Sequence, residues 1–170
     1  RLEARQYRLA FVADEDSFPN LLKPRFGQGP ALLKTVLEMG FGVDVLLYAP
    51  EGRLATPPRS GEALRFRLFG SPAELDRCLR EGEFHAVYSD IFFDWRLTRA
   101  GKAQFSSIHF EMGLEGALRT IKRLLAVCRL PFYQRYARSL ARAHPGKLGR
   151  DSQGLPKSEL RRSVTSLGGR

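Results

Sequence analysis

Apolar residues along this chain fall either in short continuous runs or in stripes at every third or fourth position, and the two patterns take turns. Runs of the first kind predict buried strands and stripes of the second kind predict helices with one face in a core. Residues 7–13 form the first run and lead into the acidic turn Asp14, Glu15 and Asp16 and a loop containing Pro19 and Pro24. After Gly27 and Gly29, Pro30 suits a first helical position, and Leu32, Leu33, Val36, Leu37 and Met39 make the apolar face of a helix closed by Gly40. Residues 43–48 are a second strand, and the Pro-, Gly- and Ser-rich residues 50–61 are a surface loop. Residues 64–69 alternate apolar with basic side chains, the mark of a strand at an edge or only partly covered.

Ser71 is an N-cap with Pro72 behind it and Glu74 approximating a capping box, so a helix runs through Leu75, Cys78 and Leu79 to Gly82. Residues 84–88 predict a strand, followed by an aromatic loop, a further strand at 105–110 and a long amphipathic helix at 113–127. Pro131 interrupts that pattern, residues 132–143 resume it as a helix rich in Tyr and Arg, and a disordered basic tail follows from His144. Strands alternating with helices imply an α/β fold, a Rossmann-like parallel sheet of about four to five strands flanked by helices. Residues 1–143 form that domain, and residues 144–170 the tail.

With 43% apolar residues in 170, the chain buries a real core, which excludes disorder throughout. Cys78 and Cys128 sit inside helical patterns with no metal-ligand spacing, and read as buried reduced thiols of a cytoplasmic protein. No apolar run approaches the roughly 20 residues needed to span a bilayer, and the first residues lack the apolar core of a secretory signal. Because Arg1 precedes the first strand by only a few residues, the expectation is the C-terminal part of a longer chain. The net charge of +10 is spread along the chain. Arg119, Lys122, Arg123, Arg129, Arg135, Arg138 and Arg142 recur opposite an apolar stripe and read as a solvated face, with a nucleic-acid surface as the less favoured alternative.

The chemistry concentrates between residues 86 and 125. The chain lacks GxGxxG after its first strand, and it lacks GxxxxGK[ST], HExxH and GxSxG. Gly27 and Gly29 follow too long a loop for a phosphate-binding turn and read as backbone geometry. What remains is an apolar strand ending in Tyr88, Ser89 and Asp90, a loop with Arg96 and Lys102, a strand reaching Ile108 and His109, and a helix opened by Gly113 and Gly116. This arrangement resembles the last domain of nitrogenase component 1-type oxidoreductases. The earlier half is similar to the same domain in its first strand at residues 8–13, its first helix at 32–40 and its helix and strand at 76–88. The resemblance covers about residues 5–127 and does not separate nitrogenase proper from assembly scaffolds or other nitrogenase-like reductases.

The resemblance implies a subunit of three Rossmann-like domains that pairs with a homologous component 1 subunit, with iron–sulfur clusters held between them. Electrons would come from a separate ATP-dependent iron–sulfur reductase protein, and this segment alone would be inactive. By the same resemblance His109 takes the place of an imidazole ligand to a cluster whose thiolates come mainly from earlier domains; its other reading is a His simply hydrogen-bonded in place. The segment between His109 and Gly113 is shorter than in the molybdenum enzyme. Arg96, Glu111, Gly113 and Gly116 are the residues expected around the cofactor. Glu111 either lines the cavity or, the favoured role, caps the helix at Gly113. Arg96, Lys102 and Arg119 either balance an anionic cluster or are solvated. The aromatic run from Ile91 to Trp95 reads as an inter-domain or subunit contact. The rival readings are a free-standing Rossmann-like module for a sugar nucleotide or small anion, and a nucleic-acid-associated protein.

Overall fold

The structure, a computed structural model, describes residues 3–23, 31–50, 61–91, 94–130, 135–136 and 139. Five strands among them pair into one sheet: β1 (Arg8–Asp14), β2 (Gly42–Tyr48), β3 (Leu64–Phe69), β4 (Ala86–Tyr88) and β5 (Ala103–Phe105). Their order is β3-β2-β1-β4-β5 and every pairing is parallel. β1 lies at the centre and β2 beside it, which explains why both are nearly continuous apolar runs. β3 is an edge strand, as its alternating basic residues predict.

Side-chain alternation divides the core in two. Leu9 and Phe11 of β1, Val43 and Val45 of β2 and Phe105 of β5 face one way and pack against α2 (Leu32–Glu38) and α5 (Gly113–Cys128). Ala10, Leu46 and Val87 face the other way and meet Leu75 and Leu79 of α3 (Pro72–Glu81) and Leu97 of α4 (Trp95–Arg99). The result is a three-layer α/β fold with helices on both faces of a parallel sheet. Ser71 caps α3 by accepting from the Glu74 N–H at 3.3 Å, and Pro72 opens the helix.

Three local expectations are corrected. The loop with Pro19 contains a short helix, α1 (Phe18–Leu22), with Pro in its first turn, where its missing N–H is tolerated. The aromatic loop contains α4, started by Asp94, whose carboxylate accepts from the Arg96 N–H at 3.1 Å. The strand expected at 105–110 ends at Phe105, and Ser107–His109 is a single 3-10 turn. Pro30, the glycines at 27 and 29, the loop at 51–60, the aromatics at 92–93, most of the helix at 132–143 and the tail from 144 lie outside the described residues. Among the described residues no helix is long and apolar enough to cross a membrane.

Candidate functional site

All five strands point their carboxyl ends to one edge of the sheet, where open α/β sheets expose their loops to ligands. The segments that follow β4 and β5 come together there. Ser89, Asp90, Gln104, Ser106, Ser107 and His109 line a crevice of about 470 Å³ between them. The wall is built by side chains that tie one loop to the next. Gln104 Nε2 donates to the Ser89 carbonyl at 2.9 Å and to the Ile91 carbonyl, while its Oε1 accepts from the Asp94 N–H at 3.3 Å.

His109 ends the 3-10 turn and is half-buried. The Ser106 hydroxyl accepts from its backbone N–H, and its ring closes back on the same residue. Nδ1 lies 3.2 Å from the Ser106 nitrogen and 3.3 Å from the Ser106 oxygen. With the Ser106 N–H donating to Nδ1, Nε2 carries the proton and is a donor. With Nδ1–H donating to the Ser106 carbonyl, Nε2 offers a lone pair suited to a metal. In both states Nε2 has no partner among the described residues.

Glu111 does not cap α5. Its carboxylate turns instead to Arg119, with Nε to Oε2 at 2.8 Å, and to Arg123. Met112 occupies the N-cap position without a side-chain cap, so the expected capping role of Glu111 is corrected. The reason is spacing: Arg119 and Arg123 stand one turn apart on α5, and two guanidinium groups outcompete backbone N–H groups for one carboxylate. The Glu111 N–H donates to Thr120 Oγ1 at 3.0 Å, and Thr120 is fully buried. Gly116 faces that junction, where an added Cβ would lie 2.7 Å from the Glu111 carbonyl carbon. Gly113 has φ +81°, a left-handed conformation that favours glycine, and lets the chain turn into the helix.

The cationic candidates are engaged inside the protein. Arg96 forms a fork on Asp94, with Nε to Oδ1 at 3.0 Å and Nη2 to Oδ2 at 2.8 Å. Burial works to raise the Asp94 carboxyl, but the Arg96 hydrogen bonds and charge outweigh it and hold the group below its ordinary value. Lys102 Nζ donates to the carbonyls of Gly82 at 2.6 Å and Phe84 at 3.0 Å and lies 4.8 Å above the Phe84 ring, closing the end of α3. Burial lowers its pKa. Arg119 pairs with Glu111 and Glu115. Ile91 and Trp95 are exposed, as a contact surface would require.

Among the described residues no group of three or more His, Cys, Asp or Glu is placed to hold a metal ion. Cys128 is buried and its thiol is pushed up to about 12 by that burial, while Cys78 is only half-buried, a partial correction to the expectation of two buried thiols. Among the described residues the edge therefore offers a metal the imidazole of His109, with no thiolate beside it. Tyr88 and Asp90 stand where the sequence places them; what sequence reasoning missed is the bonding of Asp90 to Tyr88 and to Ser107. The signal for it was the pair of serines at 106–107, a turn signal inside an otherwise strand-like run.

Fold and site define a Rossmann-like α/β protein with a polar crevice at the carboxyl edge of strands β4 and β5. Compared with known proteins, the chain matches no family model, no curated protein and no solved structure.

Proposed function

We propose that this chain is the C-terminal Rossmann-like domain of a nitrogenase component 1-type oxidoreductase subunit, with the His109 turn facing an iron–sulfur cluster. The observation that supports this reading is the setting of His109. It is an imidazole at the carboxyl edge of a parallel sheet, its Nδ1 taken up by Ser106, its Nε2 without a partner among the described residues, just ahead of the helix start at Gly113. A single imidazole fits one position on iron, and the thiolates that complete a cluster come in this reading from other domains. The cluster, when bound, supplies low-potential electron transfer. Ser106 orients the imidazole, and the Glu111–Arg119–Arg123 group and Thr120 secure the chain between His109 and α5.

In this reading a homologous component 1 subunit completes the cavity, an ATP-dependent iron–sulfur reductase delivers electrons, and the free thiols suit a reducing cytoplasm. The test is anaerobic purification of the intact protein with its partner subunit, followed by iron and sulfide analysis and electron paramagnetic resonance. Iron bound in the wild type and a changed cluster spectrum in His109→Ala are expected. A complex without iron, or a spectrum identical in the variant, overturns the reading. An iron-free monomer that takes up a sugar nucleotide or small anion would establish the binding-module alternative.

A further inference from the structure

The turn that presents His109 is short and against the grain of its own sequence. Ile108 and Phe110 favour extended chain, and a 3-10 helix of three residues has little stability of its own. What holds it comes from the preceding loop. Asp90 Oδ1 accepts from the Ser107 N–H at 2.9 Å and from Ser107 Oγ at 3.0 Å, which satisfies the first backbone donor of the turn. The other carboxylate oxygen accepts from the Tyr88 hydroxyl. The Tyr88 ring is itself set in the core, stacked 5.3 Å from Phe11 and edge-on 5.6 Å from Phe105. A continuous path of contacts thus runs from buried aromatic rings through Tyr88 and Asp90 to Ser107.

We propose that Asp90, braced by Tyr88, is the positioning residue for His109. It keeps the turn wound, so that Nδ1 remains on the Ser106 backbone and Nε2 is presented at the crevice. Its functional meaning rests on the reading of His109 as the imidazole of the site. With the carboxylate removed, the Ser107 N–H loses its acceptor, the run reverts toward extended chain, and the contact between the His109 ring and Ser106 opens.

The test is ring nitrogen NMR on the 170-residue chain labelled at its three histidines. In the wild type the two His109 ring nitrogens should be well separated, the signature of one held tautomer. Asp90→Ala should move them toward each other, as in a freely exchanging imidazole. Asp90→Asn, which keeps an oxygen acceptor for Ser107, should restore most of the separation, and Tyr88→Phe should fall between. The His85 ring accepts at Nδ1 from the Arg8 N–H at 3.3 Å, at the opposite end of β4, so its unchanged signals would show that the fold is intact. His109 signals unaffected by both Asp90→Ala and Tyr88→Phe would overturn the proposal, as would an Asp90→Asn variant no nearer the wild type than Asp90→Ala. These shifts are read without iron, so the positioning role stands or falls separately from the cluster.

Discussion

The guanidinium of Arg8 closes on the carboxylate of Asp44 across β1 and β2, with Nε to Oδ2 at 3.0 Å and Nη2 to Oδ1 at 3.3 Å. Arg8 also donates to the carbonyls of Val43 at 2.9 Å and Glu62 at 3.2 Å. Asp44 is only 2% exposed, in the same face of the sheet as Ala10 and Leu46. A buried ion pair adds little over an apolar one, but losing one partner strands the other charge. Asp44→Ala should therefore cost about 3–5 kcal/mol, read from the urea unfolding midpoint. A loss well under about 1 kcal/mol would mean that the pair behaves like a solvated one.

Gly116→Ala places a methyl group against Glu111, whose carbonyl carbon, Cβ and carbonyl oxygen lie 2.7, 2.8 and 2.8 Å from it. Alanine improves helix propensity by about 1 kcal/mol, yet backbone has to shift to make room. Overpacking costs about 1–3 kcal/mol, so the expected net outcome after that gain is a loss of up to about 2 kcal/mol in thermal unfolding. A stabilised variant would show that the junction between Glu111 and α5 is loose.

Two groups give stability an acid limb. Burial lowers the pKa of His85, so the folded protein binds its proton less readily than the unfolded chain. Its contribution is complete above the unfolded value of about 6.5 and is lost as pH falls through the lower folded value. Asp94 has the same sign at lower pH: its stabilisation is complete above about 3.9 and disappears below that as the carboxylate paired with Arg96 is protonated. Unfolding midpoints measured from pH 8 to pH 3 should fall in two stages. Asp94→Asn should remove the lower stage and leave the upper one; a lower stage that persists in the variant would assign it elsewhere.

Cys128 is buried, and its thiol is pushed up to about 12 by that burial, so the nucleophilic thiolate is scarce at neutral pH. Alkylation at pH 8 followed by mass spectrometry should label Cys78, which is partly accessible, well before Cys128. Urea should make the two rates similar. Fast native labelling of Cys128 would mean that the end of α5 opens readily.

Much of the fold was legible because its signals are local. Ser71, Pro72 and Glu74 start α3 through contacts within one turn of chain, and the alternation of Leu64, Arg65, Phe66 and Arg67 marks an edge strand without reference to its neighbours. The residues around the crevice were legible as a region: Tyr88, Asp90, Arg96 and His109 do gather at the carboxyl ends of β4 and β5. Their partners were not. Arg96 and Lys102 spend their charge on Asp94 and on the carbonyls of Gly82 and Phe84, and a carbonyl acceptor leaves no trace in a residue pattern.

The sequence by itself determined the parallel α/β layering, since the period of the apolar residues decides which backbone geometry can bury them. Only the tertiary structure decided where β5 stops and which way Glu111 turns. Ser107 leaves the strand because Asp90, 17 positions earlier in the chain, supplies its acceptor. Glu111 faces Arg119 and Arg123 only once α5 is wound and its Thr120 accepts from the Glu111 N–H, because hydrogen bonds and ion pairs are chosen by distance in space.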